Sequence, residues 1–226
     1  MLRAVLFDLD GTLVDSERQN AESVARVLTR RGRPLTDEER AFVIGHGWAE
    51  IHHHLVSHGG VDLPLEELMR MAAHERELLV QEQGLEVLPG AVELVRRVTG
   101  RYASVVVSGS SRAEIEMCLR ALDVYGCFPW FVGAEDAARG KPFPDGYLLA
   151  AQRLGVKPAE CLVIEDSAAG IRAGRSAGMT VVAVRAGNFA GQPQDEAHLI
   201  VGTLLELDDA MLARLSDGAY AIIEKQ

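Results

Sequence analysis

Short apolar runs alternate with amphipathic stretches along the second half of the chain. Ala103 to Val107, Trp130 to Gly133, Cys161 to Glu165 and Thr180 to Val184 are apolar enough to be strands buried on both faces. Between them, Ser111 to Leu122, Asp145 to Leu154 and Ala168 to Ala177 carry helical spacing. The tail, His198 to Leu215, reads as one more strand and helix. Buried strands between helices predict a parallel sheet with helices on both faces. Leu2 to Phe7 supplies a further strand at the start.

Residues 17 to 84 follow another rule. Helical patterning covers Glu17 to Arg31, Thr36 to Ile44, Trp48 to His58 and Pro64 to Gln83, and strand-like runs are nearly absent. Thr36 followed by Glu39 is a capping box. The predicted fold is therefore α/β: a three-layer Rossmann-like parallel sheet core, residues 1–15 and 86–226, with an inserted all-helical cap domain, residues 16–85. Its hinges fall near Val14 to Ser16 and Gly84 to Pro89. A helical insert at the end of the first strand predicts a lid that opens and closes.

Phe7-Asp8-Leu9-Asp10-Gly11-Thr12 changes the picture from fold to chemistry. Alternate strand side chains share a face, so Asp8 and Asp10 project together at the strand's carboxyl end. Two acids held so close are costly unless a cation, a proton or a substrate joins them.

Composition narrows the rest. The 226 residues are 48% hydrophobic, enough for a sizeable core, and the net charge is −10. Such a surface disfavours nucleic acid and anionic membranes. No apolar run reaches the roughly 18 residues of a membrane helix. Met1-Leu2-Arg3 runs straight into the Asp pair, leaving no room for a signal peptide. Cys118, Cys127 and Cys161 fit neither a disulfide frame nor a zinc site, and Cys161 is expected to pack in the sheet. The reading is a cytoplasmic enzyme, a monomer or weak dimer.

Three further segments complete an ordered set: Val105-Val106-Val107-Ser108-Gly109-Ser110, Gly140-Lys141-Pro142-Phe143-Pro144-Asp145, and Val163-Ile164-Glu165-Asp166-Ser167 with Gly170, Gly174 and Gly178 after it. Together with the first they resemble the haloacid dehalogenase-like (HAD) hydrolase superfamily, in the helical-cap phosphatase and beta-phosphoglucomutase-like subgroup, over essentially the whole chain. The resemblance implies that Asp8 is a nucleophile forming an aspartyl phosphate. It implies that Asp10 is the general acid and then the base, with a raised pKa. Ser108, the Gly109 amide and Lys141 would hold the phosphoryl group. Mg2+ would sit on an Asp8 oxygen, the Asp10 carbonyl and Asp166, with Glu165 supporting from behind. Few carboxylates and much water suit magnesium. The implied partner is a small phosphorylated metabolite.

The resemblance also separates subfamilies. Its dehalogenases lack the second Asp, so Asp10 points away from carbon–halogen chemistry. Phosphonatases use a cap Lys, and residues 17 to 84 contain none. Beta-phosphoglucomutases carry a cap His where Asn20 stands, and a cap Lys absent here. Arg18, Arg26 and Arg40 remain as cations that could hold a second phosphate. The expected activity is hydrolysis of small phosphate monoesters, sugar or polyol phosphates; a phosphomutase is the first alternative. A catalytically silent small-molecule-binding protein is the second, against which the intact acids speak. Phe42 to Trp48 falls at the family's specificity loop, making Gly45, His46 and Trp48 candidate leaving-group contacts, or else an ordinary helix–helix turn with Trp48 packed in it. His52 to His54 and His58 lack a partnering acid or Cys and are not read as a metal site.

Overall fold

The computed structural model describes residues 1–44, 46–189 and 191–217. The chain divides into two compact units, one of Met1–Val14 with the chain from Val87 onward, the other Asp15–Glu86.

Among the described residues, the first unit is built on six parallel strands: β1 (Ala4–Phe7), β2 (Ala103–Val107), β3 (Phe131–Val132), β4 (Cys161–Glu165), β5 (Thr180–Val184) and β6 (Leu199–Val201). Their order is β3-β2-β1-β4-β5-β6. Chain direction across the sheet reverses beside β1, the place where open α/β sheets bind ligands. Register aligns the strand ends: Phe7 lies opposite Val106 on one side and Ile164 on the other. Residues that follow these strands therefore emerge at one edge.

Among the described residues, α5 (Ala91–Thr99), α6 (Arg112–Ala121), α7 (Asp145–Leu154), α8 (Ala168–Ser176) and α9 (Asp209–Ser216) belong to this unit. Alternation divides β1 between its two faces. Ala4 and Leu6 join Tyr147 and Ala150 of α7 and Ile171 and Ala173 of α8 in one apolar cluster. Phe7 meets Phe128 edge-on, ring centroids 6.0 Å apart. Leu6 and Phe7 are fully buried, and each contributes about 1.5–3 kcal/mol by leaving water. Cys161 lies in the same buried cluster.

The second unit holds α1 (Ser16–Arg30), α2 (Asp37–Val43), α3 (Trp48–Ser57) and α4 (Leu65–Gln83). The Thr36 and Glu39 capping box starts α2, with both reciprocal hydrogen bonds formed. Val24, Leu28, Ile51, Leu55 and Leu68 form its apolar centre. Among the described residues no helix is long and apolar enough to cross a membrane.

Predicted and observed elements differ mainly by a residue or two at their ends. Among the described residues one α-helix had no counterpart among the expected ones: α5, whose buried Ala91, Leu94, Val95 and Val98 recur at helical spacing. Gly90, left-handed at φ 85°, starts it, and a turn-rich stretch around Gly84 to Gly90 masks that start in the sequence.

Candidate active site

Three strand-end segments, after β1, β2 and β4, meet the loop that carries Lys141 at the carboxyl edge of the sheet. The Asp8 N–H continues the β1–β4 ladder to the Ile164 carbonyl at 2.9 Å. The chain then turns at Gly11, φ 80°, where any side chain would collide with the Asp166 carboxylate. Glycine is needed there on both counts.

Asp8, Glu165 and Asp166 offer carboxylate oxygens all within 4.8 Å of one another, and all three residues are buried. Lys141 reaches in with its side chain 17% exposed and donates to both Asp8 Oδ1 and Glu165 Oε1. Tyr147, buried on α7, donates its hydroxyl to that same Glu165 oxygen at 2.9 Å. The other Glu165 oxygen accepts from the Asp166 and Ser167 amides, each at 3.1 Å, and from the Ser167 hydroxyl at 3.0 Å. Glu165 is thus an anchor for both Lys141 and the Asp166 turn. Thr12 donates its hydroxyl to Asp166 Oδ1 at 3.2 Å.

Asp10 stands a little apart, half-buried. Its Oδ2 accepts from the Ser110 hydroxyl at 2.5 Å and the Ser108 hydroxyl at 3.1 Å. Ser108 in turn accepts from the Ser110 amide at 2.9 Å. A cavity of about 220 Å3 borders Ser108, Gly109, Lys141 and Tyr147.

The electrostatics follow from burial. Burial, helped by the charges of Glu165 and Asp10, pushes the Asp8 carboxyl up to about 8 against the pull of Lys141. Burial, then Glu165 and Asp8, hold the Asp166 carboxyl well above the usual carboxylate range. Burial alone would depress the Lys141 ammonium; Asp8 and Glu165 outweigh it and hold it well above the ordinary lysine value. Burial and the neighbouring Glu165 also push the Tyr147 phenol up.

Three carboxylates thus face one ammonium. Full ionisation leaves two negative charges uncompensated in a dry site, and without a further cation the acids retain protons instead. That charge deficit and the all-oxygen donor set fit a hard divalent cation. Asp8 and Asp166 are the oxygens best able to take it, because both Glu165 oxygens already accept several bonds.

The structure brings Asp8, Asp10, Ser108, Gly109, Lys141, Glu165 and Asp166 to one edge of the first unit. Tyr147, Thr12 and Ser110 join them without having been expected. The sequence signal for Tyr147 was its place two residues after Asp145, on the helix that Lys141 precedes.

The three cap candidates lie in the second unit. Gly45 is outside the described residues. His46 is exposed, with Nδ1 2.7 Å from the Phe42 carbonyl and its ring stacked on Phe42 at 3.9 Å between centroids. Trp48 opens α3 and packs, partly buried, against the unit's apolar centre. His54 stacks on the ring of Phe42, and His58 on that of His54, at 4.0 and 4.7 Å.

The chain is similar to known proteins over most of its length. A family model described as haloacid dehalogenase-like hydrolase matches residues 2–178. The chain is 37% identical over 193 residues to hexitol phosphatase A of Escherichia coli (strain K12), covering 81% of this chain and 83% of that protein. It is 32% identical over 205 residues to a bifunctional riboflavin kinase/FMN phosphatase of Arabidopsis thaliana, covering 90% of this chain but 54% of that protein, so it spans about half the length of that relative. The crystal structure of a beta-phosphoglucomutase from Clostridium difficile superposes with a TM-score of 0.75 at 26% identity, covering 97% of this chain and 99% of that one. With a matched family model over most of its length and phosphatases among its relatives, the chain belongs to the haloacid dehalogenase-like hydrolase family, as one of its phosphatases.

Proposed function

We propose that the protein is a magnesium-dependent phosphatase of small phosphate monoesters, sugar or polyol phosphates, working through an aspartyl phosphate on Asp8. The observation that carries this reading is the pairing of Asp8 with Lys141 inside a buried carboxylate cluster, beside an Asp10 held by two serine hydroxyls.

An Asp8 carboxylate oxygen attacks phosphorus, and the bond from phosphorus to the ester oxygen breaks. Asp10 gives that oxygen its proton, so the alcohol leaves neutral. Water then attacks the aspartyl phosphate, Asp10 takes back a proton, and inorganic phosphate leaves a free Asp8. Lys141 and the Ser108 hydroxyl hold the phosphoryl oxygens as charge develops on them. Asp8 and Asp166, with the Asp10 carbonyl, would hold magnesium, which when bound would neutralise charge on the phosphoryl group.

Hexitol phosphatase A and fructose-1-phosphate phosphatase YqaB among the relatives support a sugar or polyol phosphate. The second unit supports hydrolysis over mutation. A mutase must capture a second phosphate, and the candidate cations are already paired: Arg18 with Asp15 and Glu86, Arg26 with Glu22 and Glu82, Arg40 with Glu22. A panel of sugar and polyol phosphates assayed with magnesium is expected to yield inorganic phosphate. EDTA is expected to stop turnover and magnesium to restore it. Beta-glucose 1-phosphate with a bisphosphate primer is expected to give no glucose 6-phosphate; its efficient formation would replace hydrolysis with phosphoryl relocation.

The raised carboxyls make a prediction about pH. Asp8 titrates near 8 in the folded, metal-free protein and near 3.9 when unfolded. Its protonated form is the one that folding favours, so this contribution to stability is present below pH 4 and is lost as pH rises toward 8. Asp166 has the same sign. Lys141, held above its ordinary value, keeps its contribution through that window. Metal-free protein should therefore lose thermal stability from about pH 5 to pH 8. Magnesium must displace protons from the acids, so its affinity should climb with pH. Titration calorimetry at pH 7 in buffers of different ionisation heat should show proton release; a binding heat independent of buffer would contradict the assignment.

A further inference from the structure

The segment joining β5 to β6 carries none of the chemistry above, yet it touches both acidic turns. Gly187 lies so close to the Gly11 carbonyl that a side chain at 187 would collide with it. Asn188 and Gln192 tie the segment to itself: the Asn188 amide donates to the Gln192 carbonyl at 2.7 Å, and the Gln192 N–H donates back at 2.8 Å. Gln192 Oε1 accepts from the Ala168 N–H at 3.1 Å, at the start of α8. Gln194 is 7% exposed, and its Nε2 donates to the carbonyls of Asp166 at 2.6 Å and Val184 at 2.9 Å.

A primary amide has two N–H protons, and Gln194 spends both on main-chain carbonyls. One carbonyl belongs to the residue whose carboxylate faces Asp8; the other ends β5. The main chain of Asp166 is thereby tied to the end of β5, while Thr12 holds its carboxylate. We propose that Gln194 is a positioning residue for the divalent-cation site, fixing the Asp166 turn so that its carboxylate stays within ligand distance of Asp8. This rests on the reading of the carboxylate cluster as a cation site. Groups that orient a ligand without touching the metal govern affinity strongly, by about 10–100-fold when removed.

The test is calorimetric titration of magnesium chloride into the full chain, with circular dichroism to confirm folding. Gln194→Ala is expected to raise the magnesium Kd by about 10–100-fold. At saturating magnesium its KM for an aryl phosphate is expected to stay within about twofold of wild type, since no substrate contact is removed. Gln194→Glu, which sets a carboxylate against the two carbonyls, is expected to weaken magnesium as much or more. A merely structural role would lower the thermal midpoint and leave the magnesium Kd alone. A folded Gln194→Ala protein with wild-type magnesium affinity therefore overturns the proposal. Should that variant fail to fold, Gln194→Glu decides: it keeps the side chain's size and removes the donated N–H pair, and a folded Gln194→Glu protein with wild-type magnesium affinity overturns the proposal. Failure of the wild-type chain to bind magnesium overturns the cation reading itself, an outcome distinct from equal binding by wild type and variants.

Discussion

Asp8→Asn is expected to lose about four or more orders of magnitude in kcat on an aryl phosphate, the scale on which removing a covalent nucleophile acts. The same substitution should leave the metal-free protein as stable as wild type, or more so. Asparagine fills the same volume and keeps an oxygen for Lys141. It also removes one of three buried carboxylates from a cluster with one ammonium. Asp8 is an acid that burial drives to about 8, so at neutral pH its charged form opposes folding in the absence of a cation. Activity and stability thus move in opposite directions, as expected where a site is built for chemistry at a cost to folding. Steady-state kinetics with magnesium and thermal unfolding in EDTA check both halves. Activity within tenfold of wild type would remove Asp8 from the nucleophile's role. A large loss of stability would mean that the cluster tolerates its charges in some other way.

Lys141→Met should show the second-largest effect, with both quantities falling. The ammonium bridges Asp8 and Glu165, and Glu165 is fully buried. Taking one partner from a buried ion pair costs about 3–5 kcal/mol when the remaining charge stays in place. Here protonation of Asp8 caps that cost, because Lys141 is what holds the Asp8 carboxyl down. The loss should therefore be larger at pH 8 than at pH 6: an acid whose folded pKa has risen loses its stabilising proton as pH rises. Turnover should drop by about 100- to 1000-fold, the scale for removing one preorganised group that stabilises developing negative charge. Lys141→Arg should rescue little, since a planar fork does not replace a point charge between two carboxylates. Unfolding curves at both pH values and kcat at saturating magnesium are the measurements. A stability loss independent of pH would show that the charge of Lys141 matters less than its packing.

The core of the site was legible because strand geometry is local. Asp8, Ser108 and Glu165-Asp166 each end or follow an apolar run, and a parallel sheet delivers such residues to one edge. Parallel pairing then needs only the register of Phe7 with Val106 and Ile164 to set them side by side. Lys141 was legible only through its Gly-Lys-Pro-x-Pro-Asp context, because no strand end marks it. The site's supports were not legible. Thr12 meets Asp166 across 154 residues, and Ser110 meets Asp10 across 100. Tyr147 sits on the apolar side of α7, where its ring reads as core, and only packing shows that its hydroxyl reaches Glu165. Gln194 lies in a loop with no periodicity, where a Gln reads as solvated until it is found buried.

The helical unit shows the converse. The Thr36 and Glu39 cap was readable because it closes over three residues. Trp48 was ambiguous between ligand contact and packing, and the structure sets it against the unit's apolar centre. His46 was read as a leaving-group contact, and its ring stacks on Phe42, four residues earlier.

Taken by itself, the amino-acid sequence determined the order of the strands and of the helices other than α5, the acids at the strand ends and the family they resemble, because backbone alternation and helical periodicity act over a few residues. The tertiary structure alone decided how the charges are shared. One ammonium between Asp8 and Glu165, a tyrosine hydroxyl on the same oxygen, and protons retained on crowded acids all depend on burial and on partners far apart in the chain. Neither the burial of these polar groups nor their distant contacts are encoded in local pattern; both arise only once the sheet closes around the site.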